Sequence, residues 1–426
     1  MSQAATLEPI EPSAPLEDSK RDNDVPFVTK ILRTLFSPST VTVFFAIISA
    51  LVIGALIVVF FDPKVQATMG YLFARPEDFF AEAWRAFSGF FTSLVRGSIF
   101  DWNQDSLAGA FRPLTETFVR ATPLIIAGLA IAVSFTAGLF NIGVQGQLIF
   151  GAIFGGFIGF FWDLPPVIHV LVAVIGAIAG GALWGFIPGI LKAKLGANEV
   201  IVTIMLNSIA AYFLAALLNT YTFHGDGFAG KSRIMGPNAQ LPLILGPSYR
   251  MHLGVIIAIL ACVLVWWLLE RSTFGFELRA AGANPEAAKT AGINVNRTLM
   301  LTLVISGALA GLAATGPTLG TEKALTAGIA GSIGFDAITV ALLGKSKPIG
   351  VFFAGLLFGA LNAGGALMQA SASIPVDIVQ ITQAIVVLMI AGSEAVRYMR
   401  QKRRRELATT RKVEETPVAA PKEVGA

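Results

Sequence analysis

Asn141, Gln145 and Gln147 stand among apolar residues in the string GLFNIGVQGQ (138–147), between two stretches greasy enough to lie in a membrane. Side-chain amides donate and accept hydrogen bonds without carrying charge. In hydrocarbon they are costly unless they are paired or face a water-filled cavity. Gly138, Gly143 and Gly146 weaken a regular helix at this point, and broken helices with polar side chains near mid-membrane are where transporter sites are commonly built. Phe140, Asn141, Gln145 and Gln147 are therefore expected to line a pathway for a polar solute. The alternative is that the amides satisfy broken backbone groups and fix helix contacts.

The string SIGFD (332–336) has the same character, a glycine-containing break that holds an acid. Gly334, Phe335 and Asp336 form a candidate second-half counterpart of Phe140 and Asn141, the two breaks running in opposite directions as an inverted repeat. Asn207 and Asn362, inside later apolar segments, join the expected pathway, with Glu199 and Gln383 as further candidates. Signs of catalysis are missing. LGKS (343–346) imitates the end of a phosphate-binding loop, but Thr339 stands where that motif needs glycine. No HExxH, GxSxG or paired-carboxylate arrangement occurs. A single cysteine, Cys262, and scattered His169, His224 and His252 offer no disulfide or thiolate site. No metal or cofactor is expected.

The elements that must position these residues are membrane helices. Of 426 residues, 54% are hydrophobic and only 14% charged, with a mean hydropathy of +0.70; an ordinary soluble domain carries roughly 25% charge. A plain soluble enzyme is excluded. The net charge of +4 is too small to argue for nucleic acid. Apolar stretches fall at residues 41–61, 123–137, 142–162, 167–191, 200–221, 253–269, 299–319, 333–343, 349–368 and 378–391. The expected fold is an all-α polytopic membrane protein of about ten segments, with 123–137 and 333–343 broken, re-entrant or extended into their flanks. Residues 1–38 read as a disordered cytoplasmic tail, 39–396 as the transmembrane domain and 397–426 as a basic cytoplasmic tail. Most Lys and Arg residues, among them Lys192, Lys194, Lys345 and Lys347, then share one side with both termini, which the positive-inside rule makes the cytoplasm. On the other side, 76–100 is an amphipathic helix lying in the interface or against the bundle, and 222–251 is a loop long enough to expect a function. Gly176, Gly180, Gly181, Gly185 and Gly189, like the pairs Gly307/Gly311 and Gly355/Gly359, are spaced for close helix packing in lipid.

One polar loop on the cytoplasmic side, 271–297, carries a short capped helix. Asn284 is a good N-cap, Pro285 suits the first helical position and Gly292 is a natural stop. A helix of about two turns is too short to be stable alone and needs a surface to rest against. The spacing Glu286, Ala287, Ala288, Gly292 resembles the EAAxxxG coupling-helix motif of ABC importer permeases. GLFNIGVQGQ, the pattern from Gly275 through Ala280, Ala281, Gly282 and Asn284 to Ile293, and ISGALAGLAA (305–314) are similar to the branch that carries simple sugars and nucleosides, most of all bacterial nucleoside-uptake permeases. The resemblance covers about residues 123–392 and departs at Gln145, where that family more often has Glu.

The resemblance implies the permease subunit of an ABC importer in the bacterial cytoplasmic membrane, carrying nucleosides or simple sugars and not itself an enzyme. Arg279, Gly282, Asn284, Pro285, Glu286, Ala287, Ala288 and Gly292 would meet the ATPase. Partners would be that ATPase, expected as a fused double-ATPase, a second homologous permease in a heterodimer, an extracytoplasmic substrate-binding lipoprotein, and membrane lipid. A nucleoside would call for an aromatic ring to stack on the base and amides to bond its edges. Two rival classes remain: an ion-gradient-driven secondary transporter, which would need buried acids where only Asp336 and Glu199 qualify, and a structural or channel-like component, which leaves the broken polar segments unexplained.

Overall fold

The computed structural model describes residues 38–225, 230–372 and 380–386 and a few further positions between 378 and 399. Residues 1–37 and, apart from position 399, the carboxyl tail from 397 lie outside the described residues, as do residues 379, 387, 390 and 391 of the tenth expected segment, 378–391. Contacts along the chain divide it into two units, 1–50 with 388–426, and 51–387; every packing feature below belongs to the second. No strand occurs among the described residues, only isolated bridges.

The helices are α1 (Pro38–Phe61), α2 (Pro63–Met69), α3 (Pro76–Ser98), α4 (Leu107–Thr136), α5 (Val144–Phe161), α6 (Pro166–Leu195) and α7 (Glu199–Leu218). They continue with α8 (Gly254–Arg271), α9 (Thr273–Ala283), α10 (Pro285–Thr290), α11 (Val295–Thr315), α12 (Ile333–Leu343) and α13 (Pro348–Ala372). Eight are long and apolar enough to cross a membrane. The short segment 123–137 is resolved by extension: Ser106 caps α4 by accepting from the Gly109 N–H at 3.1 Å, and the helix runs 30 residues through Pro113 and Pro123. Segment 333–343 stays short, as the 11-residue α12.

Burial ranks the helices. The apolar window of α4 is 83% buried and forms the centre of the core, whereas that of α7 is 22% buried and turns Ile201, Met205, Ile209 and Tyr212 outward. In lipid, such faces need no cover. At the crossing of α6 with α11, a Cβ on Gly181 would run into the Gly307 carbonyl, and one on Gly311 into the Ala177 carbonyl. Gly151 of α5 meets Gly311 in the same way, so three backbones converge at one glycine.

The amphipathic segment forms α3, with Ala86, Phe90, Ser93 and Gly97 buried and Phe80 and Trp84 outward. Gly97 packs on Gly364 of α13. Arg96 Nε donates to Asp101 Oδ1 at 2.8 Å in the α3–α4 turn, and this guanidinium holds the Asp101 carboxyl below its ordinary range. The long loop after α7 is stitched to the segment following α11: Ser232 and Met235 donate backbone bonds to Leu325 and Lys323, Leu241 donates to Leu319, and Gly236 to Gly159 at the end of α5.

The last turn of α11 widens into a π-helix, Gly316–Thr321. His252, fully buried, packs on Gly320 there; its Nδ1 accepts from the Gly254 N–H at 3.1 Å and its Nε2 has no partner. Burial, aided by Arg250 and Lys323, pushes the imidazole from 6.5 down to about 4. The unfolded chain then binds the proton first, so stability is complete above pH 6.5 and lost as the pH falls towards 4. That loss amounts to about 3 kcal/mol. Thermal melts of the wild type and His252→Leu across this range check it: only the wild type is expected to show this component.

Candidate functional site

The break between α4 and α5 is held open by amides. Asn141 is buried, accepts from the Gly143 N–H at 2.9 Å, and donates through Nδ2 to Ser306 Oγ at 2.9 Å and Gln147 Oε1 at 3.2 Å. Ser306 Oγ donates onward to the Ala130 carbonyl at 2.8 Å, which ties α11 to α4. Asn207 of α7 donates to the Ile142 carbonyl at 3.0 Å and accepts from the Gly146 N–H at 2.8 Å. Asn141 and Asn207 thus take up backbone groups that the break leaves without a helix ladder, and Gln147 braces Asn141. Gln147 Nε2 is left buried without a partner. Phe140 is exposed and stacks on Phe135 with centroids 5.2 Å apart.

Gln145 brings the two breaks together. Its Nε2 donates to the Gly331 carbonyl at 2.7 Å and its Oε1 accepts from the Gly334 N–H at 2.8 Å, so one side chain clasps the start of α12. Gln145→Leu would leave both backbone groups of the second break unpaired, at a cost of roughly 1–3 kcal/mol. Gln145→Glu, when ionised, can still accept from Gly334 but cannot donate to Gly331. Both variants are expected to melt earlier and transport more slowly than the wild type, Leu more than Glu; melts and uptake in the same membranes check the order.

Beside that clasp opens a cavity of about 580 Å³, bounded by α4, the π turn, the 328–336 break and α13. Asp336 and Asn362 of the expected set line it; Asp336 Oδ2 accepts from Ser332 Oγ at 2.6 Å, and Asn362 Oδ1 accepts from Gln383 Nε2 at 2.9 Å. Phe335, exposed, is absent from its lining, as are Phe140, Asn141, Gln145, Gln147 and Asn207. The expected residues thus divide into a structural clasp and a cavity wall. The wall includes charges that sequence reasoning did not place in a site: Arg120 of α4 and Arg250, which entered only the Lys and Arg count for orientation, and Glu116 and Glu322, which did not enter at all. Their signal was the i, i+4 pair Glu116/Arg120 directly ahead of an apolar run. Glu199, the remaining acid, pairs with Lys192 at 2.8 Å across the α6–α7 turn.

At the α9–α11 connection the expected capped helix is present. Asn284 Oδ1 accepts from the Glu286 and Ala287 N–H groups at 3.0 and 3.1 Å, Pro285 opens α10, and Gly292 takes φ +85°. Ala288 is buried between Ala281 and Val295, which supplies the surface the helix needs. Arg279, Asn284, Pro285, Glu286, Ala287 and Gly292 are exposed. Gly282, at the end of α9, rests against Thr136, Ala137 and Gly138, leaving no room for a Cβ. The surface loop thereby touches the backbone of the α4–α5 break.

The family model described as "Branched-chain amino acid transport system / permease component" matches residues 114–391. A guanosine ABC transporter permease of Bacillus subtilis is 42% identical over 304 residues, 70% of this chain and 86% of that protein. A nucleoside ABC transporter permease of Lactococcus lactis is 37% identical over 295 residues, 67% of this chain and 81% of that protein. A glucose ABC transporter permease of Haloferax volcanii is 34% identical over 290 residues, 66% of this chain and 76% of that protein.

Proposed function

The chain belongs to this family of ABC transporter permeases, and from that premise we propose that it is the multi-pass membrane subunit through which an ABC importer takes up nucleosides. It supplies the route and no chemistry; ATP is hydrolysed on a partner ATPase, and a substrate-binding protein delivers the cargo. The observation that carries the nucleoside reading is the identity of 42% and 37% to guanosine and nucleoside permeases over two thirds of the chain. A simple sugar is the second reading, favoured by the 34% identity to a glucose permease.

In this reading both termini and the α9–α11 connection face the cytoplasm, and Arg279, Gly282 and Asn284 through Ala288, with Gly292, meet the ATPase. The ATPase is a fused double one, and a second, homologous permease completes a heterodimer. The cavity wall with Asp336 and Asn362 borders the pathway, while Asn141, Gln145, Gln147 and Asn207 hold its broken helices in place, with Phe140 and Phe335 beside them. Scarcity of charge in the spans suits an uncharged cargo.

The test is uptake into proteoliposomes holding the ATPase, both permeases and the binding protein. ATP-dependent entry of labelled nucleosides is the expected result. Entry of simple sugars with no nucleoside uptake would overturn it.

A further inference from the structure

Arg120 lies within a membrane-crossing helix, where an ionisable side chain has to have a reason. Its neighbour one turn away, Glu116, is taken by Arg250 at 3.5 Å. Arg120 itself is exposed to the cavity and makes no hydrogen bond or ion pair with any described residue. In the wall of the same cavity, Asp336 is steadied by Ser332 through one carboxylate oxygen, and no described residue donates to the other. The wall therefore offers one guanidinium that feels the Glu116 charge one turn away but is held by no hydrogen bond or ion pair, and one half-engaged carboxylate, in a space of about 580 Å³, inside the range of roughly 300–1,000 Å³ typical of small-molecule sites.

The charges lining the space nearly balance, with Glu116, Glu322 and Asp336 against Arg120 and Arg250. A ligand suited to it is uncharged overall and presents acceptors to the guanidinium and donors to the carboxylate. Three carboxylates would repel a phosphate. The guanidinium fork matches two acceptors in one plane, such as the O6 and N7 edge of a 6-oxopurine. A 6-amino group at that edge would turn a donor towards the guanidinium, which accepts nothing.

Building on the nucleoside reading, we propose that Arg120 binds the O6/N7 edge of a 6-oxopurine nucleoside in this cavity while Asp336 accepts from the sugar hydroxyls, making Arg120 a specificity-determining residue of the permease itself. The wall's slight excess of carboxylates disfavours nucleotides, and adenosine passes less readily than inosine or guanosine.

The test compares kcat/KM for inosine and adenosine in proteoliposomes holding the complete transporter, with wild type, Arg120→Lys and Arg120→Gln. The same binding protein feeds all three, so its own preference cancels between them. Each substitution is expected to lower the inosine-to-adenosine ratio about tenfold, the size of one good bidentate contact; a ratio unchanged within about twofold overturns the assignment. Should neither variant assemble, mass spectrometry of wild-type transporter treated with phenylglyoxal decides. Protection of Arg120 by inosine and not by adenosine supports the proposal, and equal labelling in all samples overturns it. Uptake of simple sugars and no nucleoside by the wild type removes the functional reading and this assignment together, whereas nucleoside uptake with an unmoved ratio removes Arg120 alone.

Discussion

Replacing residues 284–292 by a flexible Gly/Ser stretch of equal length is expected to abolish ATP-driven uptake while the protein remains inserted and the ATPase still turns over. The replaced piece contributes little to the fold. It is a six-residue helix whose one buried side chain is Ala288, and its Glu286–Lys289 pair is exposed, so the pair is worth only a few tenths of a kcal/mol. Losing the Asn284 cap costs about 1 kcal/mol. What disappears is a preformed, solvent-facing shape joined through α9 to Gly282, whose backbone rests on Thr136, Ala137 and Gly138. In the proposed coupling role, a push on α10 would reach the α4–α5 break through this contact and α12 through Gln145. Single changes grade the effect: Glu286→Ala is expected to weaken coupling with an unchanged melting temperature. Gly292→Val, which forces a β-branched residue to φ +85°, adds strain of roughly 1–3 kcal/mol. Uptake and ATPase rates in the same vesicles, with melting temperatures alongside, make the check; normal uptake after the replacement would sink the coupling role.

The second large effect is expected from Gly311→Val. Its Cα lies against the backbones of both α5 and α6, so a side chain there meets atoms that cannot rotate away. Overpacking at a backbone contact is expected to cost about 3 kcal/mol or more, enough to remove most folded protein from the membrane. Gly89, on the open side of α3 with nothing near its absent Cβ, provides the control. Gly89→Ala is expected to be neutral or to stabilise by up to about 1 kcal/mol, because alanine is the better helix former. Fluorescence-detected gel filtration and melts of the two variants separate the cases.

How much of this was legible in the sequence depended on the length scale of the signal. The capped α10 was readable because its determinants, Asn284, Pro285 and Gly292, sit within one short string and act locally. The glycine spacing of α6 and α11 announced close packing, and those glycines do meet each other. Segment 123–137 looked too short because hydropathy fades at Glu116 and Arg120, yet capping by Ser106 and the neighbours around α4 carry the helix through them. The polar amides were found, but their partners were not: Asn141 bonds Ser306, and Gln145 bonds Gly331 and Gly334, more than a hundred residues away, where no periodicity reaches. The cavity charges escaped for the same reason, since Glu116, Arg250 and Glu322 have meaning only once α4, the α8 approach and the π turn stand side by side.

The clasp made by Gln145 also sets a timetable. It joins residues 189 apart in the chain, and at ribosomal rates of roughly 5–20 residues per second the Gly334 N–H emerges about 10–40 s after the amide it must meet. Throughout that interval α5 is already synthesised with its amide unmatched, so the first break has to be sheltered by the insertion machinery or by lipid headgroups. Slow synthesis between the two breaks is therefore the stage at which a nascent chain of this protein is most exposed to quality control.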